Sequence, residues 1–254
     1  MTPVTWEQLR SRCYVPYSDR KEVCIVEGKS DICYPGVRIE NNSFPLSMDA
    51  IQVAIFSCLS EGDEPAAVML PQPDQDEALK KLNDGSSTFN RVISEWCDRY
   101  CLKPIHMPQS EAIDPRRFFQ TEEQSVSFKR LQELTSRCLI PYSDFPVSVL
   151  LLTDKGLFSG VNIEVDDWQR GLCAERVALG KARSAGATTF LEIHVYTPKS
   201  DYASPCGACR QVLVEWMNRG FIMLAHNEDE STRLLIPELL PYQFKPGNLL
   251  KKHH

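Results

Sequence analysis

Apolar stretches of strand type alternate with helical patterns through the C-terminal half of the chain. VSVLLLTD and GLFSGVNIE predict two strands of a hairpin, with the turn at Asp154–Gly156. Helix, strand, helix and strand patterns follow, and the two helices are expected to end at Gly186 and Gly220, because glycine adopts the left-handed conformation that ends helices. Strands that alternate with helices are typical of a layered α/β domain with a largely covered sheet. The four stretches are CAERVALGKARSAG, LEIHVYT, CRQVLVEWMNRG and FIMLAHN.

The N-terminal half repeats this order in a weaker form. Three stretches match in the same order, at offsets of 125, 124 and 120 residues. Matching order at a nearly constant offset indicates a tandem duplication. Each half also begins with a short predicted helix, and the first of these has a capping box at Thr5–Gln8. The matching stretches are CYVPYSD at 13–19 and CLIPYSD at 138–144, GVRIE at 36–40 and GVNIE at 160–164, and Glu-Trp at 95–96 and 215–216.

The duplication fits the length, since 254 residues suggest about two domains. We predict a first domain over residues 1–109 and a second over residues 123–254. Between them, residues 110–122 are rich in proline and polar side chains, which predicts a linker. The terminal His253 and His254 are interpreted as the remnant of a tag.

Composition and charge narrow the setting and the partners. With 43% hydrophobic and 24% charged residues the chain is typical of a globular protein, and no apolar run is long enough to span a membrane. The first residues lack the basic and apolar regions of a signal peptide, so we expect a cytoplasmic protein with no membrane partner. There the ten cysteines are not expected to form a disulfide framework. The net charge of −6 argues against nucleic acid as a partner and favours a small neutral substrate.

Candidate chemistry is concentrated in two cysteine motifs of the C-terminal half. Cys173, Cys206 and Cys209 can bind zinc as thiolates, which leaves the fourth position for a water molecule. Glu175 is a carboxylate that stands close to this site and can move protons. Both motifs also lie where helices are predicted to begin, and helix N-termini favour anions. The sequence therefore predicts an open, catalytic zinc site.

The alternative is a structural zinc site, which needs a fourth protein ligand such as His194 or Cys138. The N-terminal repeat favours catalysis, because it keeps the helical and strand patterns but carries none of the three thiols and no matching carboxylate. Cysteines that the fold does not need are expected to serve chemistry. The substitutes in the first repeat are Asp49 for Cys173, Ile51 for Glu175, Ser86 for Cys206, Phe89 for Cys209 and Arg38 for Asn162.

Together, the motifs PYSDFPV, GVNIE, CAER, SPCGACRQ and ELLPYQF resemble the cytidine deaminase family, and more narrowly its three-cysteine, free-nucleoside enzymes. CAE followed by PCGAC fits the deaminase signature H-x-E and P-C-x-x-C, in which cysteine can replace the histidine. The resemblance covers about residues 128–250, and the N-terminal half only faintly, as a degenerate, non-catalytic copy. It implies duplicated α/β domains, each a mixed five-stranded sheet layered between helices. It also implies hydrolytic deamination of cytidine and 2′-deoxycytidine in pyrimidine salvage.

The resemblance also implies roles for individual residues. Without it, the polar residues among them would be interpreted as strand-end or solvated positions and the aromatic ones as core. The implied zinc ligands are Cys173, Cys206 and Cys209, for one Zn²⁺ per chain, and the general acid and base is Glu175. The implied substrate contacts are Asn162 and Glu164 to the sugar hydroxyls, Phe145 to the base, Ala174, and Phe244 in a neighbouring active site; Arg176 is implied to hydrogen-bond the thiolates.

One loop departs from the family pattern. After GVNIE the C-terminal repeat reads VDDWQRG, whereas ENNSFPLS in the N-terminal repeat is closer to the family's loop, which reaches an adjacent active site. We therefore predict that Asn42, Phe44 and Pro45 wall the pocket of a Cys173 site, within the chain or across a dimer. The alternative is drift in a purely structural half. Two tandem copies per chain also predict a homodimer that mimics a four-domain tetramer.

Three other functions compete with cytidine deamination. A deaminase of another cytosine-bearing nucleoside, such as an antibiotic, fits the unusual VDDWQRG loop. A polynucleotide deaminase is disfavoured by the acidic charge, by the absence of a basic stripe and by cysteine as the first ligand. A non-catalytic binding module would use zinc only for structure.

Overall fold

The computed structural model describes residues 3–72, 88–119, 121, 125–200, 202 and 204–244. Ser86 and the terminal His253 and His254, which were interpreted above, lie outside the described residues. The chain divides into two compact units. The first comprises Met1–Ile39 and Met48–Gln120, and the second comprises Glu40–Ser47 and Thr121–His254.

The first unit is built on a four-stranded sheet. In chain order its elements are β1 (Val4–Thr5), α1 (Trp6–Ser11), β2 (Val23–Gly28), β3 (Cys33–Val37), α2 (Ala50–Ser60), β4 (Pro65–Pro71), α3 (Thr88–Tyr100), β5 (Lys103–Met107) and β6 (Ala112–Ile113). The strand order is β3-β2-β4-β5, and only β4 and β5 are parallel. The predicted capping box of α1 is present, with the Gln8 amide donating to the Thr5 hydroxyl.

The second unit is built on a mixed five-stranded sheet. Its elements are α4 (Phe128–Leu134), β7 (Ser148–Thr153), β8 (Gly156–Val161), α5 (Ala174–Ala185), β9 (Phe190–Tyr196), α6 (Gly207–Trp216), β10 (Phe221–Ala225) and β11 (Ser231–Leu235). The strand order is β11-β10-β9-β7-β8, with β9 and β10 parallel. The prediction of an α/β fold is confirmed. The predicted hairpin is also present, because β7 and β8 pair in antiparallel orientation, with Ser148 opposite Val161 at one end and Thr153 opposite Gly156 at the other. No helix in the described part of the chain has the length and apolarity needed to cross a membrane.

Small structural details recur at the offsets found in the sequence. The central strand β2 has a register shift at Glu27/Gly28, and its counterpart β7 has one at Leu152/Thr153. Single-turn 3₁₀ helices occupy Phe44–Leu46 and Trp168–Arg170. Shared irregularities of this kind support the tandem duplication, because strand pairing alone does not require them.

The two sheets differ in strand number. The implied five strands are present in the second unit, whereas the described residues of the first form four, and its β6 pairs with β1 instead of extending the sheet. Only Ala112 and Ile113 form a strand here, because Pro115 has no N–H to donate and begins a 3₁₀ helix that Asp114 caps. The equivalent hairpin of the second unit has five strand residues on each side.

The boundary between the units falls between Gln120 and Thr121. Residues 110–122, the predicted linker, therefore contribute mainly to the first unit, through β6 and the 3₁₀ helix. Arg117 forms an ion pair with Glu27, and the ring of Phe119 stacks on Tyr34 at 5.9 Å. Residues 40–47 are the other departure from the predicted boundaries, since they belong in sequence to the first repeat and in structure to the second unit.

A close approach between a strand and a helix fixes the start of α5. Gly160 in β8 lies directly against the first two turns of that helix, and a Cβ added there would be 2.3 Å from the carbonyl oxygen of Ala174. Gly36 in the first repeat has the same relation to Ala50 and α2. Only glycine allows the backbone of the strand to come this near to the helix. Cys173, which immediately precedes α5, is positioned by this contact.

Gly160→Ala is therefore expected to lower the free energy of unfolding by about 1–3 kcal/mol, the usual cost of overpacking a core. The added carbon would also lie 2.9 Å from the Cβ of Ala178, so α5 would have to move. Urea denaturation measures the change. Gly207→Ala is the matched control, because a Cβ there meets nothing within 4 Å. Equal midpoints for Gly160→Ala and the unsubstituted protein would contradict the close packing.

Candidate active site

The three cysteines of the predicted site lie at two helix N-termini. Cys173 is the N-cap of α5 and Cys206 is the N-cap of α6, and each has an extended backbone with no side-chain cap hydrogen bond. Cys209 lies in the first turn of α6 and is fully buried. A thiol in place of the usual capping hydroxyl or carboxylate leaves the sulfur free to bind a ligand, while the amides of the first turn favour its anion.

The geometry of these thiols fits zinc. Their three Sγ atoms all lie within 4.8 Å of one another, and the Sγ atoms of Cys173 and Cys206 are 3.6 Å apart. Two thiolates on a tetrahedral zinc ion should be about 3.8 Å apart, given a Zn–S distance of about 2.3 Å. In the part of the chain that the structure describes, this is the single cluster of metal-binding side chains.

The cluster supplies three ligands, not four. His194 is 2.8 Å from Glu192, and the thiol of Cys138 donates to the carbonyl of Val147, so neither candidate for a fourth ligand joins the cluster. The described residues therefore do not form a closed structural site. A tetrahedral zinc ion bound by the three thiols would keep one coordination position for water or substrate.

Without a cation, the cluster holds its negative charge unevenly. Cys206 accepts hydrogen bonds from both other thiols and from backbone amides of α6, which lowers its pKa. Hydrogen bonds with Cys173 and Cys206, together with burial, raise the pKa of Cys209 well above the ordinary value. Three adjacent thiolates therefore need a cation, which is what the predicted metal provides.

Glu175 lies in the first turn of α5, two residues after Cys173, and is 4% exposed. Burial raises the pKa of its carboxyl group to about 7, and the charge of Cys206 acts in the same direction. A metal ion on the thiols would act in the opposite direction, because a nearby positive charge favours the carboxylate. A carboxyl group with a pKa near neutrality suits proton transfer in both directions.

A cavity of about 380 Å³ opens beside the cluster and Glu175. Its size is within the range of small-molecule sites. Of the predicted substrate-binding residues, Phe145, Asn162 and Glu164 line it, together with Cys173 and Cys206. Ala174, Phe244, Phe44 and Pro45 are not among its lining residues. Ala174 is fully buried. Phe44 and Phe244 are 85% and 49% exposed. Their predicted contact with an active site requires a neighbouring chain and stays a prediction.

Asn162 and Glu164 hold the loop that carries Phe145. The side chain of Asn162 accepts a hydrogen bond from the amide of Val147 and donates one to the carbonyl of Phe145, at 2.9 and 2.8 Å. Glu164 Oε2 accepts from the amides of Tyr142 and Ser143 at 3.0 and 3.1 Å. These two side chains therefore shape one wall of the cavity.

Arg176 follows Glu175 on α5 and is 8% exposed. Burial lowers the pKa of its guanidinium, and the negative charge of the three thiols offsets part of this shift. Its Nη2 donates to the carbonyl of Leu46 at 2.9 Å, and its Nε has no hydrogen-bond partner within the described ranges. The predicted hydrogen bonds from Arg176 to the thiolates are not formed among the described residues, although the charge of the thiols acts on the guanidinium.

Sequence reasoning missed two aromatic residues of the cavity. Trp168 and Tyr202 line it and are 64% and 55% exposed. Both have a signal in the sequence: Trp168 lies in the VDDWQRG loop, which departs from the family pattern, and Tyr202 lies four residues before Cys206 in KSDYASPC. The rings of Trp168 and Tyr142 meet edge to face, with centroids 6.5 Å apart.

The first unit carries an ion pair at the equivalent positions. Arg38, which replaces Asn162, donates to Asp49, which replaces Cys173, at 3.1 Å, and also to Glu22 at 3.2 Å. Ile51, which replaces Glu175, is fully buried. The repeat thus keeps the strand and the helix N-terminus, and an ion pair joins them where the second unit has Asn162 and Cys173.

Residues 121–225 match the sequence pattern of a protein family, the cytidine and deoxycytidylate deaminase zinc-binding region. This range contains all three cysteines of the cluster. Cytidine deaminase from Sporosarcina psychrophila is 37% identical over 112 residues, which are 43% of this chain and 82% of that protein. The chain belongs to the cytidine deaminase family. It is therefore a zinc-dependent deaminase, and the family match supports zinc as the metal of the cysteine cluster.

Other cytidine deaminases show similar proportions. The enzyme from Mycoplasma genitalium is 34% identical over 119 residues, which are 46% of this chain and 92% of that protein. A crystal structure of cytidine deaminase from Burkholderia pseudomallei aligns with 47% of this chain and 100% of that one, at 31% identity and a TM-score of 0.43. Less than half of this chain is enough to cover most of the length of these two relatives. This agrees with a chain that contains two family domains.

Asn162→Ala is expected to destabilise the wall of the cavity, because the amide of Val147 and the carbonyl of Phe145 both lose their partner. We expect a loss of about 1–3 kcal/mol in the free energy of unfolding, measured by chemical denaturation. Asn162→Asp is the matched comparison, since it still accepts from Val147 and loses only the donor to Phe145. If Asn162→Ala is as stable as the unsubstituted protein, these hydrogen bonds do not hold the loop.

Proposed function

We propose that this protein hydrolyses cytidine and 2′-deoxycytidine to uridine and 2′-deoxyuridine with release of ammonia, as an enzyme of pyrimidine salvage. The observation that carries the proposal is a three-thiol cluster, with no fourth protein ligand among the described residues, beside the cavity that Glu175 lines. A structural zinc site, which four protein ligands close, has no use for a buried carboxyl group of raised pKa beside it.

Zinc, when bound to the three thiolates, supplies a Lewis acid that lowers the pKa of water toward neutrality. Glu175 takes up the proton that the attacking water releases and delivers it to N3 of the base. It then carries the second proton of that water to the departing amino group, so that cytidine and water become uridine and ammonia. The burial of Glu175 keeps bulk water from competing for these protons.

The lining residues of the cavity support a nucleoside as the substrate. Phe145 offers an exposed ring edge or face to a pyrimidine base. Glu164 uses one carboxylate oxygen for the loop amides and keeps the other for a sugar hydroxyl. The second hydrogen of the Asn162 amide can serve the same sugar. Both side chains are held in place before substrate arrives, which lowers the entropic cost of binding.

A second substrate class is favoured by Trp168. Its indole lines the cavity and is 64% exposed, on the loop that departs from the family pattern. A large exposed aromatic surface at this position can contact a substituent that plain cytidine does not have. A larger cytosine-bearing nucleoside is therefore the alternative substrate.

We also propose a homodimer with one zinc ion per chain, held in the second unit. The second unit exposes several aromatic side chains, including Phe44, Tyr242 and Phe244 at 85%, 104% and 49%. Aromatic residues at a surface are typical of protein interfaces. In a dimer, Phe44 and Phe244 could reach the cavity of the neighbouring chain, as the sequence predicts.

The function is tested by following the ultraviolet absorbance loss of cytidine, deoxycytidine, an N4-substituted or base-extended cytosine nucleoside, and a cytosine-containing single strand. We expect turnover of cytidine and deoxycytidine and no turnover of the single-stranded nucleic acid. A chelator should abolish turnover, and added zinc should restore it. Glu175→Gln should retain zinc and the folded state while losing about a hundred- to ten-thousandfold in kcat. Near-normal kcat in zinc-loaded Glu175→Gln, or no activity on any nucleoside by the zinc-loaded protein, would contradict the proposal.

A further inference from the structure

The 40–47 segment (Glu40–Ser47) belongs to the first repeat in sequence and to the second unit in structure. We propose that this segment positions the metal site, with Asn42 as the positioning residue for α6 and the carbonyl of Leu46 holding Arg176 beside the thiols. The inference deepens the proposed function and rests on it for the use of the metal site, whereas its test measures metal binding.

Asn42 is 7% exposed and uses its backbone and both ends of its side chain. Its backbone amide donates to Glu215 Oε2 at 2.9 Å, and its Oδ1 accepts from Gln211 Nε2 at 2.9 Å. Its Nδ2 donates to the carbonyl of Phe244 at 3.0 Å. A buried amide with this many partners has little freedom to rotate, so it works as a rigid connector.

Two of these partners lie on the helix that carries two of the thiols. Gln211 and Glu215 are four residues apart and so share one face of α6, while Cys206 and Cys209 lie at its N-terminus. Contacts to one face fix the rotation of a helix about its axis. Because Gln211 is only two residues beyond Cys209, a rotation of α6 would move that sulfur relative to Cys173.

The third thiol is on the other helix, and the same segment reaches it through Arg176. The carbonyl of Leu46 accepts from Arg176 Nη2 at 2.9 Å. Arg176 is on α5, three residues after Cys173, and its guanidinium interacts electrostatically with all three thiols. Holding this cation in place offsets part of the negative charge that the thiolates bring to a buried site.

The segment is built to hold its own shape. The amide of Asn41 donates to the hydroxyl of Ser47, the amide of Ser43 donates to Asn41 Oδ1, and the amide of Leu46 donates to the carbonyl of Ser43. The corresponding loop of the second repeat has Asp166 where this segment has Asn42. A carboxylate cannot donate to a carbonyl, so the two loops are not interchangeable.

The test uses the full-length protein with Asn42→Ala, Asn42→Asp and the control Ser43→Ala. We measure zinc affinity by competition with a chromogenic chelator, the visible absorption of the cobalt-substituted protein, and the melting of the metal-free protein. Asn42→Ala should weaken zinc binding about 10- to 100-fold and alter the cobalt spectrum, as is usual when support of metal ligands is removed. Asn42→Asp keeps the bond from Gln211 and should be intermediate.

Ser43→Ala should bind zinc like the unsubstituted protein, since the Ser43 hydroxyl makes no hydrogen bond in the described part of the chain. If both Asn42 variants keep full zinc affinity and the unaltered cobalt spectrum and only melt earlier, the segment is merely structural and the inference is wrong. If neither variant folds, Gln211→Met carries the same expectation, and unchanged zinc affinity there overturns it. Zinc affinity and the cobalt spectrum do not depend on which substrate is turned over, so failure of the proposed function gives a different result.

Discussion

Two helix N-termini meet in the second unit and bring three thiols into one small volume. The start of α5 is fixed by its contact with Gly160, and the thiol of Cys209 is placed inside the first turn of α6. Without a cation these groups cannot all be charged, because one thiolate raises the pKa of its neighbours. The helix amides and Arg176 offset part of this cost, and a divalent ion offsets the rest. In the proposed function, the cavity and Glu175 act on the side of the cluster that has no protein ligand.

The first unit shows what the same frame does without a metal. Its strand order β3-β2-β4-β5 corresponds to β8-β7-β9-β10 of the second unit. Gly36 also approaches a helix as closely as Gly160 does. At the positions of Asn162 and Cys173 it has Arg38 paired with Asp49, and Arg38 also pairs with Glu22. A frame that is held there by ion pairs does not need zinc for its architecture. The proposed metal of the second unit is therefore better explained by the reaction than by the architecture.

What could be predicted from the sequence was local. The strands and helices of the second repeat, and the three thiols at helix starts, follow from periodicity and from motif spacing within a few residues. The repeat in the first half was recognisable for the same reason. What could not be predicted depends on contacts between distant residues: β6 pairs with β1 about a hundred residues away, and Asn42 reaches partners separated from it by 169 to 202 residues. The hydrogen bonds of Asn162 to the Phe145 loop and the lining positions of Trp168 and Tyr202 are set by tertiary packing, which leaves no periodic signal in the chain.

The proposed function requires that the cysteine cluster bind zinc through three sulfurs and leave the fourth position open. X-ray absorption spectroscopy of the zinc-loaded protein measures this directly, because sulfur and the lighter ligand atoms differ in both distance and scattering. We expect three sulfur atoms at about 2.3 Å and one oxygen at about 2.0 Å, the latter replaced or displaced when a substrate analogue binds. A shell of four sulfurs, or of three sulfurs and one histidine nitrogen that no ligand perturbs, would show a closed structural site and contradict the account.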